Sequence, residues 1–317
     1  MYKTGYRPEG TRIGLPENQT VTATVSGLLE AARERWILEG IATLCDSERN
    51  LEVDLGGKIR GMIPRDEVAY SPSGEAPKEI AAITRVGKAV AFCVTEVRTT
   101  ENGAPLAILS RRAAQEACMQ NYLLTLSEGD VIDAKVTHME QFGAFVDIGC
   151  GLVSLLSIDC ISVSRISHPR DRFSVGDRIR VAVKSVDRAS GRIYVTAKEL
   201  FGTWEENAAL FSVGQTVAGI VRSIEPYGIF VELTPNLAGL AEYREGVEVG
   251  QVSAVYIKNI IPERMKIKLV LIDSYKGEPM AHRTLAELPG SSLRAASHID
   301  RWQYSPDCCA RVIETLF

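Results

Sequence analysis

The chain has 317 residues, with 36 Lys and Arg against 40 Asp and Glu, a formal net charge of -4, and 45% hydrophobic and 24% charged residues. That length suggests two or three domains at about 100–200 residues each, and the composition of an ordinary globular chain excludes wholesale disorder and a collagen-like class. No apolar run approaches the roughly 18 residues of a membrane helix, and the negative net charge excludes nucleic-acid binding by bulk attraction to phosphate, leaving local basic patches and ring stacking.

In chain order, residues 1–36 read as an arm. MYKTGYRPEGTRIG has no hydrophobic stretch behind its basic residues, so it does not read as a secretory signal and a cytoplasmic location is expected. A helix is expected around Val25 to Trp36. Residues 37–126 contain GIATLCDSERNLEVDLGGKIRGMIPRDEV and VGKAVAFCVTEVRTTENGAPLAILSRR, a weak form of a pattern that repeats twice more. Residues 127–200 carry GDVIDAKVTHMEQFGAFVDIGCGLVSLL, a polar loop, then VGDRIRVAVKSVDRASGRIYVTAKE. Residues 201–273 carry GQTVAGIVRSIEPYGIFVELTPNLAGLAE and VEVGQVSAVYIKNIIPERMKIKLVLID. In each copy β-branched residues alternate with polar ones over short runs bounded by glycine and turn residues, the form of half-buried antiparallel strands. Five strands fit each copy, with one longer connection before the fourth. Closure into a small Greek-key barrel removes the exposed edges that such strands would leave.

Between copies, RRAAQEACMQNYLLTL and AKELFGTWEENAALF are rich in Ala, Glu, Gln and Leu without proline, so short packed helices are expected there rather than flexible linkers. Residues 274–317 form a tail of mixed structure, which Trp302 and Tyr304 are expected to anchor onto a neighbouring barrel. The expected fold class is all-β: tandem five-stranded barrels linked by short helices, with an N-terminal helical arm. The seven cysteines are odd in number and scattered, with Cys45, Cys93 and Cys150 inside apolar runs, which points to buried thiols rather than a disulfide framework.

Phe142-Gly143-Ala144-Phe145 opens the second strand of the second copy, and Tyr227-Gly228-Ile229-Phe230 stands at the same place in the third. Strict alternation would put residues three apart on opposite faces, but a glycine bulge would return both rings to one side and make a stacking platform. The bland alternative is that the rings are core. Their recurrence before a strand of Val, acid and hydrophobe favours the platform. The first copy has Arg49 and Glu52 where the rings should be, so it is expected to bind nucleic acid poorly or to dock a protein.

These strings resemble the S1 RNA-binding domain, the repeat named after the large protein of the bacterial small ribosomal subunit. GxV, FGAFV, VGD, VKxVD and GRIxVT occur in order in the second copy, the similarity extends over most of the third, and VDLGG, GMIPRDE and LSRR are similar in the first. The resemblance implies OB-fold barrels and single-stranded RNA binding. It matches Phe142 and Phe145 to the family's stacking aromatics, and Asp187 and Arg192 to an acid and a base that contact RNA from the last two strands. The family's histidine of the third strand falls on Ser154. In the third copy the rings are Tyr227 and Phe230, the histidine position is Gly239 and the acid is lost at Ile261. Lys258, Arg264, Lys266 and Lys268 bring positive charge to that edge, and alternation puts Lys266 and Lys268 on the face opposite Ile267 and Leu269. Arg165, Arg170 and Arg172 lie in the loop before the fourth strand of the second copy; they could reach phosphates, or form a salt-bridged surface with Asp159 and Asp171.

The sequence has no H-E-x-x-H, Walker loop or G-x-S-x-G, and His138, His168, His282 and His298 show no metal-ligand spacing. The expected function is a non-catalytic single-stranded RNA binder acting on mRNA in translation or RNA turnover, with the ribosome or the RNA-degradation machinery as partner. Neither a cofactor, a metal, a small-molecule substrate nor a membrane is expected. Two alternatives stay open: a protein-docking scaffold or accessory subunit of such a complex, and a redox or metal function of Cys308-Cys309, whose vicinal thiols lie near Arg311 but lack a CxxC framework.

Overall fold

Alternating runs become strands, and the strands group in fives. The computed structural model describes residues 5–72, 74–275, 293 and 295–317; His282 and the first part of the tail lie outside them. After α1 (Pro16–Thr22) and α2 (Val25–Glu34), which Thr24 caps by accepting from the Gly27 amide, comes the first barrel. It consists of β1 (Ile37–Cys45), β2 (Leu51–Asp54), β3 (Arg60–Ile63), β4 (Ala89–Thr99) and β5 (Pro105–Ser110), with α3 (Glu79–Ile83) before β4. The strands close in the order β1-β2-β3-β5-β4, in which β3 and β5 run parallel. The third barrel repeats this with β11 (Thr216–Glu225), β12 (Gly228–Thr234), β13 (Leu237–Ala241), β14 (Val252–Ile261) and β15 (Lys266–Tyr275). Both have the five-stranded Greek-key order of the OB fold.

The second unit has β6 (Val131–Glu140), β7 (Gly143–Asp147), β8 (Val153–Ser157), β9 (Arg178–Asp187) and β10 (Arg192–Thr196) in the order β10-β9-β6-β7-β8. Its last seam carries no backbone ladder. Ser154 on β8 bridges it, donating its hydroxyl to the carbonyl of Ile193 on β10 at 2.7 Å, and just past the two strands the Ala197 amide donates to the Cys160 carbonyl at 2.8 Å.

The linking segments are helical, as their composition predicts: α4 (Arg111–Asn121), capped by Ser110 through the Ala113 amide, and α5 (Trp204–Ala208), preceded by a 3-10 turn at Lys198–Phe201. They do not act as tethers. Ala114 and Cys118 of α4 share one core with Ile37, Ala91 and Cys93 of barrel one and Val136, Val146 and Leu156 of barrel two. Trp204 of α5 shares another with Val131 and Ala182 of barrel two and Val221, Leu237 and Leu269 of barrel three.

Each end of the described chain is sewn into a seam. Near the start, the Glu9 amide donates to Asp147 of barrel two at 2.7 Å, while its carboxylate accepts from Arg111 at 2.7 Å and from the Ala91 amide of barrel one at 3.0 Å. Near the end, Trp302 and Tyr304 enter the core between barrels two and three, and the Tyr304 hydroxyl donates to the Asn236 carbonyl at 2.6 Å. Both residues thus anchor the tail, and β16 (Arg301–Gln303) and β17 (Glu314–Leu316) form a hairpin there. The seven cysteines are free thiols, with Cys308 exposed and Cys309 buried. Among the described residues no helix is long and apolar enough to cross a membrane.

Candidate nucleic-acid interface

Phe142 does not lie in a strand. It follows Gln141 in the tight turn between β6 and β7, where alternation does not apply, and its ring is 55% exposed. The expected bulge at the glycine is absent: Gly143 pairs in register with Glu140 and Ser157. Glycine is required there because a Cβ would lie 2.5 Å from the Leu156 carbonyl oxygen of the adjoining strand. The turn thus returns Phe142 to the side of half-buried Phe145, and the rings meet edge to face with centroids 6.0 Å apart at 89°. Barrel three repeats the device. Tyr227, 68% exposed in the β11–β12 turn, meets half-buried Phe230 at 6.2 Å and 89°, and a Cβ at Gly228 would lie 2.4 Å from the Ala241 carbonyl oxygen.

Paired residues in neighbouring strands share a face, so the register traces one row of side chains across the outside of each barrel. In barrel two His138 pairs with Phe145, and Phe145 with Leu155. In barrel three Ser223 pairs with Phe230, Phe230 with Leu240 and Leu240 with Lys268. In barrel one the row is Leu44, Glu52, Met62 and Ile108. Each row ends on the fifth strand at a bulge in its ladder: Ile108 opposite Glu96, Lys268 opposite Asn259 and, in barrel two, Tyr194 opposite Ser185. Tyr194 is therefore the counterpart of Lys268. It is 40% exposed, and the His138 ring stacks on Phe145 with centroids 6.0 Å apart.

Sequence reading missed both residues. Alternation from Arg192 places Tyr194 on the same face and could have found it. His138 carried no such signal, because the bulge between Val136 and His138 breaks the period on which alternation depends.

The remaining predicted residues divide. Arg192 and Asp187 are exposed partners at the β9–β10 hairpin. Hydrogen bonds from Ser190, first from its hydroxyl, hold the Asp187 carboxyl below its ordinary range, so Asp187 is ionised and also braces the turn. Lys266 and Lys268 are exposed on β15 while Ile267 and Leu269 are buried, as alternation requires, and Lys258 is exposed on β14. Arg170 is exposed in the 3-10 turn Pro169–Asp171.

Arg172 requires a correction. It is buried against barrel three, where its guanidinium meets the Glu232 carboxylate at 2.6 Å, and burial lowers its pKa. A guanidinium sealed in that seam does not reach phosphate. The two histidine positions also need correcting. Ser154 is buried and bonded to Ile193, and a Cβ at Gly239 would lie 2.6 Å from the Leu269 side chain, so neither position faces the rings.

In barrel one ion pairs occupy the platform. Glu52 bonds Arg60 across the strands, and Arg49 bonds Glu79 at 3.2 Å.

Residues 125–198, which contain barrel two, match the family model of the S1 RNA binding domain. Barrel two belongs to the S1 RNA-binding domain family. The chain is 32% identical over 246 residues to the small ribosomal subunit protein bS1 homolog of Bacillus subtilis, covering 75% of this chain and 60% of that protein. With the small ribosomal subunit protein bS1 of Staphylococcus aureus strain COL it shares 36% identity over 143 residues, 44% of this chain and 36% of the relative. The chain thus spans 60% or less of the length of these two relatives. Among solved structures, a multidomain protein with nucleic acid binding domains from Streptococcus pneumoniae aligns over 75% of this chain and 73% of that one, with a TM-score of 0.25 and 16% identity. The S1 match falls on the barrel whose row is richest in rings.

Proposed function

We propose that the protein binds single-stranded RNA without catalysing a reaction on it, through the ring faces of barrels two and three, and that it acts on messenger RNA together with the ribosome. The observation that carries this reading is the perpendicular ring pair built twice by the same turn, each with its outer ring in solvent. Exposed rings accept any nucleobase, since each has a π face, and stacking contributes about 1–3 kcal/mol per base whatever the protein's net charge. Lys258, Lys266 and Lys268 on barrel three, with Arg192 and Arg170 on barrel two, supply local cations for the sugar-phosphate chain while the whole remains acidic. The bS1 name of the relatives supports the ribosomal setting.

The test is fluorescence anisotropy of the full chain with a single-stranded oligouridine of about 12 nucleotides. The double variant Phe142→Ala, Phe145→Ala and its counterpart Tyr227→Ala, Phe230→Ala should each weaken binding about tenfold or more. Unchanged affinity in both would overturn the reading. Cosedimentation of the intact protein with ribosomes, lost on stripping mRNA, tests the setting.

One observation favours a second reading for barrel one. Ion pairs cover its platform while Ile80, Ile83 and Val86 are exposed around α3, which suits docking to a protein subunit of the ribosome or of an RNA-degrading complex. Removing barrel-one charges should then leave RNA affinity unchanged and weaken cosedimentation.

A further inference from the structure

The rows of barrels two and three differ at one end, and the difference has chemical content. We propose that Tyr194 is a third base-stacking position of barrel two, with His138 backing Phe145 at the other end of the row. Barrel two then grips RNA mainly by its bases, whereas barrel three, with Lys268 at the same place, adds phosphate contacts. The inference rests on the RNA-binding reading above and goes further by assigning each barrel its part of the nucleotide.

His138, Phe145 and Leu155 succeed one another across β6, β7 and β8, and Tyr194 on β10 stands at the bulge that Lys268 occupies on β15. Leu155 is half-buried, so it floors the gap between the flanking rings. Tyr194 stands out between buried Ile193 and Val195, and among the described residues its hydroxyl has no hydrogen-bond partner. A tyrosine on a strand face is unremarkable by itself. This one continues a line of rings that already includes an exposed Phe142, and its equivalents are a charged Lys268 in barrel three and a buried Ile108 in barrel one. His138 lies parallel to Phe145 within 26°, and its Nε2 is 2.6 Å from Glu140, which fixes the ring in that pose.

The experiment uses the full chain with Tyr227→Ala and Phe230→Ala, so that barrel two is read alone, and labelled oligouridine with an abasic oligomer of equal length as control. Adding Tyr194→Ala should weaken oligouridine binding about tenfold, while Tyr194→Phe stays within about twofold of the parent because the π face is kept. On the abasic oligomer Tyr194→Ala should have no effect. Tyr194→Lys should steepen the salt dependence of log affinity by about 0.7, as one added phosphate contact requires. If Tyr194→Ala binds oligouridine like its parent while Phe142→Ala, Phe145→Ala abolishes binding, the inference falls and the RNA reading stands. If neither change matters, both fall. Loss of abasic and oligouridine binding alike on Tyr194→Ala also overturns it, by showing that Tyr194 does not act through bases.

Discussion

Arg172 of barrel two and Glu232 of barrel three meet at 2.6 Å with both side chains buried, and Arg222 reaches the same carboxylate at 2.8 Å while also pairing with Asp171 at 3.1 Å. One carboxylate therefore answers a guanidinium from each barrel, and Arg222 crosses the seam in turn to Asp171. Glu232→Ala takes the carboxylate partner from buried Arg172, leaves Arg222 with Asp171 alone, and should destabilise the protein by about 3–5 kcal/mol, because a buried guanidinium stripped of its partner is not rehydrated. Arg170→Ala, two residues from Arg172 but exposed, should cost no more than about 0.5 kcal/mol. Urea unfolding of the two variants checks the contrast.

The lysines of β15 should be visible in the salt dependence of binding. For single strands each phosphate contact contributes a log–log slope of about -0.7, so Lys266→Ala, Lys268→Ala should flatten the slope by about 1.4 if both touch phosphate. Anisotropy titrations over a range of ionic strength measure it. A slope that stays put would assign the lysines to a solvated strand face.

His298 ties the tail to barrel two. It bonds Asp130 at 2.7 Å, lies 3.4 Å from Asp300, and has its pKa raised chiefly by the bond to Asp130. A raised folded pKa means that the protonated ring stabilises the docked tail below the unfolded value near about 6.5, and that this contribution fades as pH rises through the folded value. The Tm difference between the parent and His298→Ala should accordingly be larger at about pH 6 than at about pH 9. An equal difference at both would show that the bridge does not depend on charge.

Ser154 closes barrel two where no backbone ladder does. Ser154→Ala strands the Ile193 carbonyl in that seam and should cost about 1–3 kcal/mol. Amide hydrogen exchange should rise in β8 and β10 rather than in β6 and β7. Uniform protection would show that the seam holds without the hydroxyl.

What the sequence made legible was local and repeated. The three barrels follow from alternation and from copies supporting one another, and the ring pairs follow from a motif written twice. Their cause was not legible: the rings converge because one of each pair sits in a turn and the neighbouring carbonyl tolerates no Cβ, which only the packed strands reveal. Arg170 and Arg172 look alike in a polar loop, and what separates them is Glu232, a residue of the next barrel. The pairing of Glu9 with Arg111 and Asp147 is equally non-local, so no period along the chain announces it.

The seam between barrels two and three has an order of assembly built into it. Val131, Trp204 and Val221 are all synthesised before Ile299, Trp302 and Tyr304, the residues that complete their core. A nascent chain whose barrels have all emerged still presents a greasy, open joint at the second junction until the later segment folds back. Limited proteolysis of stalled nascent chains should find that joint open in those ending before Ile299 and sealed in those that include Thr315, whose hydroxyl donates to Glu199 at 2.9 Å.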